Sequence, residues 1–91
     1  MLFVIAYDVP DDARRTRIAD LLKDYGRRVQ YSVFEALLEP ELLRQMYDRL
    51  LAVVDAAEDS VRLYALCADC AGKVEVMGLG ERTEESDVFV V

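Results

Sequence analysis

The chain has no histidine among its 91 residues, and this absence excludes several kinds of catalytic and metal site. Ser-His-Asp and Cys-His nucleophilic sites, two-histidine ribonuclease chemistry, HExxH zinc sites and two-histidine zinc fingers all need that side chain. A general base in this protein must therefore be a carboxylate, a tyrosine, a lysine, a cysteine or a metal-bound hydroxide.

Cysteine is also scarce, and the two present, Cys67 and Cys70, form a lone CxxC. This is half of the four-ligand set that a structural zinc site needs. A redox-active pair would be expected to begin a helix, whereas Cys67 ends a strand-like run. We therefore interpret the two cysteines as small residues at a strand-turn junction.

Long apolar runs and targeting signals are lacking as well. The longest apolar stretch, Met1–Tyr7, is far too short to cross a bilayer, so no membrane partner is expected. It has no basic leader and no cleavage site, so we expect no secretory signal and a reducing, cytoplasmic location. The composition, 54% hydrophobic and 32% charged, excludes a disordered or collagen-like chain, and the length suits one domain.

Positive charge is in deficit overall but is concentrated in one segment. The chain has 11 Lys and Arg against 18 Asp and Glu, a net charge of −7 that argues against a protein that coats nucleic acid. Six of the eleven lie between positions 14 and 28, opposed there by two aspartates: Arg14, Arg15, Arg17, Lys23, Arg27 and Arg28. Such a local basic stripe can still hold phosphates, because binding is decided within a Debye length of roughly 8 Å.

Hydrophobic periodicity predicts a strand, a helix and a divided strand in the first half of the chain. The apolar run Met1–Asp8 is typical of a buried central strand. Apolar residues at helical spacing follow, with acidic N-caps and Gly26 as the stop: Asp11, Asp12, Ile18, Leu21, Leu22 and Tyr25. Over Arg28–Leu38 the period is two, and a bend or bulge near Phe34-Glu35 divides the run into two short strands.

A second helix and two more strands are predicted in the second half. Pro40 suits a first helical turn, and the apolar spacing predicts a helix over about Pro40–Ala57. The strands Ser60–Cys67 and Lys73–Met77 follow, joined by a turn at Ala68–Gly72. The chain finishes in the apolar Val88–Val91, which either covers its own sheet edge or reaches a neighbouring subunit's edge.

The order of these elements predicts an α+β fold, a ferredoxin-like sandwich in which an antiparallel sheet carries two helices on one face. Residues 1–78 form this domain, and residues 79–91 form a C-terminal tail with a short strand that could pair with the other subunit. Homodimerisation would bury the sheet face that the helices leave open.

Asp8 is the first candidate for chemistry, because it ends the central strand where ligand sites in βα units are favoured. One carboxylate is a poor metal site, but a two-fold axis near the strand ends would bring two Asp8 side chains together. Mg²⁺ accepts one or two carboxylates while it retains waters, and it could activate water and offset charge on a phosphodiester. The alternative is an Asx-type turn before Val9-Pro10.

Three arginines, Arg14, Arg15 and Arg17, fall in the first turns of the first helix close to Asp8, and Arg28 begins the next strand. Helix N-termini favour acids, so three arginines there work against the helix dipole unless an anion lies nearby. Arg14, like Arg15 and Arg17, is therefore a candidate nucleic-acid-binding residue. The alternative is a solvated charged face.

Aromatic residues are interleaved with these charges and could stack on bases. Tyr7 lies in the buried strand and Tyr31 alternates with Val29 and Val33, so both are expected in the core. Phe34 lies on the other face of its strand and is expected to make a partner or dimer contact.

Taken together, FVIAYDV, DDARRTRIADLLKDYGRRVQYSVFEALL, DSVRLYALCADC and VEVMG resemble the CRISPR-associated Cas-two family over about residues 3–78. The resemblance implies a ferredoxin-like homodimer with Mg²⁺- or Mn²⁺-dependent endonuclease activity on single-stranded RNA or double-stranded DNA. It also implies a scaffold role beside the integrase partner that inserts new spacers into the CRISPR array.

The same resemblance implies roles for individual residues. The family's catalytic, metal-binding aspartate, supplied by both subunits, corresponds to Asp8. The nucleic-acid-binding or supporting positions correspond to Tyr7, Arg15, Arg17, Arg28 and Phe34. Two alternatives remain: a noncatalytic dimeric DNA-binding scaffold, and a toxin-type ribonuclease of the VapD kind.

Overall fold

The computed structural model describes residues 1–84, which form one antiparallel sheet and three helices. The elements are β1 Leu2–Asp8, α1 Asp12–Leu22, β2 Arg27–Gln30, β3 Val33–Leu37, α2 Pro40–Val53, β4 Ser60–Leu66 and α3 Ala68–Ala71. The strand order is β2-β3-β1-β4, with every neighbouring pair antiparallel. This is the predicted ferredoxin-like α+β sandwich. No helix within these residues is long and apolar enough to span a membrane.

The core lies between α1, α2 and one face of the sheet. Alternate residues of β1 point to this face, and Phe3, Ile5 and Tyr7 are all buried there. In register with Ile5, Phe34 of β3 points the same way and is 0% exposed. The helices add their apolar stripes, chiefly Ile18, Leu21, Leu22, Met46 and Leu50. Neither α1 nor α2 covers the opposite face of the sheet, which we call the open face.

The two main helices begin where the sequence predicts but end earlier. Asp11 caps α1, and its carboxylate accepts a hydrogen bond from the Arg14 amide at 2.9 Å. Pro40 occupies the first turn of α2, which ends at Val53 instead of Ala57. Beyond α2, the carboxylate of Asp55 accepts from the Ala57 amide at 2.9 Å, and this local hydrogen bond replaces the next helical turn.

Gly26 does not end α1 as predicted, since the helix stops at Leu22. Its role is close packing at the start of β2. A Cβ atom at this position would lie 2.2 Å from the carbonyl oxygen of Glu35, closer than any side chain can approach a backbone atom. Only glycine therefore lets the chain pass this close to β3.

The division between β2 and β3 lies at Tyr31-Ser32, not near Phe34-Glu35. The β2–β3 register also shifts between Arg28 and Gln30, which is a bulge in β2. The predictions for two aromatic residues are wrong, because Tyr31 lies in the turn and the buried face of β3 is the one that carries Phe34. Tyr31 is 73% exposed instead of buried, and Phe34 is in the core instead of on a contact surface.

The segment after β4 also differs from the prediction. Cys67 ends no strand: β4 stops at Leu66, and the predicted turn at Ala68–Gly72 is the short helix α3. Lys73–Met77 forms no strand in the described part of the chain. The carbonyls of Ala71 and Gly72 accept hydrogen bonds from Arg82, at 3.4 and 3.1 Å, which holds the end of α3.

Residues 81–83 cross back to the open face of the sheet. The Thr83 hydroxyl donates to the Glu35 carboxylate at 2.6 Å and accepts from Arg27 at 3.2 Å. These contacts bind the start of the predicted tail to β2 and β3. The apolar Val88–Val91, with its predicted pairing, lies outside the described residues, and the domain boundary at residue 78 stays a prediction.

Candidate nucleic-acid interface

Asp8 is the last residue of β1 and is exposed on the open face of the sheet. The alternation along β1 produces this placement, because Tyr7 before it points into the core and Asp8 must point the opposite way. Within residues 1–84 its carboxylate makes no hydrogen bond or ion pair. The alternative of an Asx-type turn is thus not realised, and Pro10, two residues on, has no amide hydrogen to donate to such a turn.

Asp8 offers a divalent metal one carboxylate at the end of β1. Residues 1–84 contain no group of three or more Asp, Glu or Cys side chains that could hold a metal ion. Asp8 is in register with Ser60, and the carboxylate just before it, Asp59, is enclosed in the fold. The donor set therefore fits a Mg²⁺ ion that retains several waters and takes a second carboxylate from another molecule.

Arg14 is held inside the fold by the carboxylate of Asp59. Its Nε and Nη2 atoms donate to the two oxygens of Asp59 at 2.8 and 3.0 Å, and Nη2 also donates to Glu58 at 3.1 Å. The hydrogen bonds from Arg14 lower the pKa of the Asp59 carboxyl, and the same bonds raise the pKa of Arg14. This forked pair fastens the first turn of α1 to the start of β4.

An anion is expected near the arginines of α1. For Arg14, that anion is a carboxylate of the protein itself, Asp59. Asp59 lies 45 residues further along the chain, so spacing gave no signal of it. In this conformation Arg14 is a structural residue and not part of a free basic stripe.

Arg15 lies beside the loop between β1 and α1. Its Nη1 donates to the carbonyl of Val9 at 2.9 Å, and its Nη2 forms a close ion pair with the Asp12 carboxylate. The pKa of Arg15 is raised by the hydrogen bond to Asp12 and, to a smaller degree, by Tyr31. These contacts orient the guanidinium at the rim of a cleft between α1 and β2.

Arg28 packs against the ring of Phe34 and donates a hydrogen bond to Tyr7. Its guanidinium carbon lies 5.3 Å from the centre of the Phe34 ring, and its Nη2 donates to the Tyr7 hydroxyl at 3.4 Å. The Tyr7 hydroxyl in turn donates to the carbonyl of Tyr31 at 3.4 Å. Phe34 thus takes part in the site as a buried support for an exposed arginine.

These residues converge on one cleft of about 250 Å³, which we call the α1-β2 cleft. Three cations line it, together with the rings of two tyrosines and one opposing carboxylate: Arg15, Lys23, Arg28, Tyr7, Tyr31 and Asp20. The Nζ atom of Lys23 lies 3.5 Å from the Asp20 carboxylate, and the ring of Tyr31 is free to contact a ligand. A cleft of this kind suits a phosphate group with an adjacent base.

Lys23 belongs to the predicted basic stripe but is not among the predicted site residues, and Tyr31 is predicted to lie in the core. Lys23 follows α1 by one residue, where only the fold could place it beside β2. Tyr31 is exposed because it lies in the turn between β2 and β3, for which the sequence has no turn signal.

Arg17 lies apart from this cleft. Residues two apart on a helix point in nearly opposite directions, so Arg17 does not share the face of Arg15. It lines a separate depression of about 480 Å³ between α1 and α2, with Asp24 and Arg49 among the other lining residues. The predicted basic stripe is therefore divided between the α1-β2 cleft, the Arg14–Asp59 pair, Arg17, and Arg27, which donates to Thr83.

Comparison with protein families gives a match over most of the chain. The model of the family described as "CRISPR associated protein Cas2" matches residues 1–74. The chain is similar to "CRISPR-associated endonuclease Cas2 2" of Thermus thermophilus, at 44% identity over 90 residues, covering 99% of this chain and 96% of the relative. It is also similar to "CRISPR-associated endoribonuclease Cas2 3" of Synechocystis, at 47% identity over 77 residues, covering 85% and 84%.

A solved structure shares the fold. It is titled "Partial Cas6-RT-Cas1--Cas2 complex", and one of its chains is 28% identical to this one with a TM-score of 0.71. The similarity covers 84% of this chain and 89% of that chain.

Proposed function

The chain belongs to the CRISPR-associated Cas2 family, and we propose that it acts in CRISPR adaptation, the acquisition of new spacers, beside an integrase partner. We further propose that it is a metal-dependent endonuclease that cleaves phosphodiester bonds of single-stranded RNA or double-stranded DNA. The nuclease names of its relatives support the second proposal, and the complex whose title includes Cas1 and Cas2 supports the first. Family membership favours this function over a VapD-like toxin.

The observation that carries the nuclease proposal is the placement of Asp8. Its carboxylate is exposed and makes no hydrogen bond or ion pair within residues 1–84. It lies at the end of β1 on the open face of the sheet. In a homodimer formed through that face, a two-fold axis near the strand ends would bring two Asp8 carboxylates together. The pair would hold Mg²⁺, or Mn²⁺ in its place. When bound, such an ion makes water more acidic and offsets charge that develops on the phosphodiester.

The remaining residues of the site hold the substrate. Arg15 and Arg28 contact phosphate groups in the α1-β2 cleft, where their positions are fixed by hydrogen bonds to Val9 and Tyr7. Phe34 supports Arg28 from below. Arg15 is held by α1 and Arg28 by β2. Because their positions are fixed independently, the two arginines orient a nucleic-acid backbone in the cleft as well as attracting it.

A noncatalytic scaffold is the second candidate, and the structure provides an observation in its favour. The α1-β2 cleft is built without any contribution from Asp8, so a protein that lacks catalysis could still hold duplex DNA for an integrase. In that case the loss of Asp8 would leave binding intact.

The deciding experiment is cleavage of labelled single-stranded RNA and double-stranded DNA by wild type, Asp8→Asn and Asp48→Asn, each with Mg²⁺, Mn²⁺ or EDTA. Asp48 is an exposed carboxylate on α2, so its variant matches the change of charge away from the site. We expect cleavage to require a metal, to fall at least about tenfold in Asp8→Asn, and to stay at the wild-type rate in Asp48→Asn. Equal cleavage by all three identically purified proteins, or none by any, would overturn the nuclease proposal and leave the scaffold.

A further inference from the structure

The two cysteines lie side by side at the start of α3, and both are exposed. Cys67 is the N-cap of this short helix, and its Sγ atom accepts a hydrogen bond from the Cys70 amide at 3.4 Å. The sequence predicts no redox pair, because Cys67 is expected to end a strand instead of beginning a helix. The structure supplies that helix and places the Cys67 sulfur against the backbone amide of Cys70.

The two thiols differ in acidity because of these contacts. The amide of Cys70 and then the Cys70 thiol stabilise a negative charge on Cys67, which lowers the pKa of Cys67. Interaction of the Cys70 thiol with the Cys67 sulfur raises the pKa of Cys70. One sulfur is thus the readier nucleophile, and the other keeps its proton nearby.

We propose that Cys67 and Cys70 are a redox-active dithiol, a covalent modification site that closes reversibly to a disulfide by exchange with a low-molecular-weight disulfide such as oxidised glutathione. The Cys67 thiolate attacks one sulfur of that reagent, breaks its S–S bond and forms a mixed disulfide, while the displaced thiolate takes up a proton. Cys70 then loses its proton to solvent and attacks the Cys67 sulfur, releasing the second thiol.

The electron and proton balance of this exchange is complete. Two protein thiols are oxidised to one disulfide, and the reagent's disulfide is reduced to two thiols that carry both protons. The spacing of the two cysteines suits a disulfide. Cys67 is the N-cap of α3, and its sulfur already lies 3.4 Å from the amide nitrogen of Cys70. Arg82 holds the opposite end of α3, so closure leaves that contact in place.

The dithiol is separate from the proposed nuclease site. Asp8 is in register with Ser60 at the beginning of β4, whereas Cys67 follows Leu66 at the other end of the strand. The inference therefore does not rest on the proposed function.

The test is a redox titration of the full-length protein in buffers with a rising ratio of oxidised to reduced glutathione, followed by alkylation of free thiols and intact-mass analysis. Wild type should pass from two alkylated thiols to none and lose the mass of two hydrogen atoms, with full reversal by dithiothreitol. Cys70→Ser should stop at a mixed disulfide with one glutathione, because the resolving thiol is gone.

The two single variants also distinguish the roles of the sulfurs. Cys70→Ser keeps the backbone amide that points at Cys67, so at neutral pH its thiol should be alkylated several-fold faster than the thiol of Cys67→Ser. Equal rates would overturn the assignment of Cys67 as the nucleophile. The dithiol itself would be overturned by a wild-type chain that keeps both thiols, carries two glutathiones, or is linked only to other chains.

Discussion

At the scale of single residues, neighbouring arginines of α1 have different roles because their partners differ. Arg14 donates to a carboxylate with no solvent-exposed side-chain surface, Asp59, whereas Arg15 reaches the rim of the α1-β2 cleft. A substitution of Arg14 should therefore act first on folding, and a substitution at the cleft should act on binding.

The Arg14–Asp59 pair should make stability depend on pH in the acid range. The pKa of Asp59 in the folded protein is lowered from its ordinary value of 3.8. The stabilisation is therefore complete above that value and is lost as the pH falls through the lower folded pKa. Urea unfolding from about pH 6 to pH 2 should show this acid loss in wild type, and a flatter profile in a less stable Asp59→Asn.

The matched control is Asp48→Asn, which removes a carboxylate from the exposed Arg44–Asp48 pair on α2. It should keep the wild-type profile, because exposed pairs contribute little to stability. A profile of Asp59→Asn that parallels wild type throughout the acid range would contradict the role of the pair.

At the scale of elements, the joint between α1 and β2 depends on Gly26. Gly26→Ala should destabilise the protein by about 1–3 kcal/mol or more, because the new Cβ would force the Glu35 carbonyl away and disturb the pairing of β2 with β3. Gly72→Ala is the control, since its Cβ would meet nothing closer than 3.5 Å. Chemical denaturation of both variants tests this, and equal midpoints for the two would refute the close-packing role of Gly26.

The sequence predicted the elements that have a strong period and missed those that depend on a local irregularity. β1, α1 and α2 carry continuous apolar patterns and begin where expected. Tyr31 escapes prediction because it lies in a turn that has no Gly, Asn or Pro signal, and Phe34 because a period of two does not say which face of β3 is buried. α3, only four residues long, is too short to produce a helical period at all.

The candidate site was predictable to a similar extent. Asp8 is predictable because it ends a strand just before a helix, where ligand sites in βα units are favoured. The convergence of Arg15, Lys23 and Arg28 on one cleft cannot be predicted from the sequence, because it arises from the position of α1 beside β2. Contacts between distant parts of the chain leave no local signal in a single sequence.

At the scale of the whole molecule, the net charge of −7 makes the local cations decisive for nucleic-acid binding. Lys23→Ala and Arg28→Ala should each weaken duplex binding and reduce the slope of log affinity against log salt by about 1, because each loses one phosphate contact. Arg44→Ala, an equal change of charge on the exposed side of α2, should leave the slope unchanged. Identical slopes for all three variants and wild type would show that phosphates do not bind in the α1-β2 cleft.

In the proposed dimer, two Asp8 carboxylates, one from each chain, share one divalent ion. Isothermal titration of Mn²⁺ into wild type, Asp8→Asn and Asp48→Asn measures this sharing, because the stoichiometry reports how many chains contribute to each site. We predict one ion for every two chains in wild type and in Asp48→Asn, and no binding of comparable affinity in Asp8→Asn. One ion for each chain, or the same binding in Asp8→Asn as in wild type, would contradict the shared site.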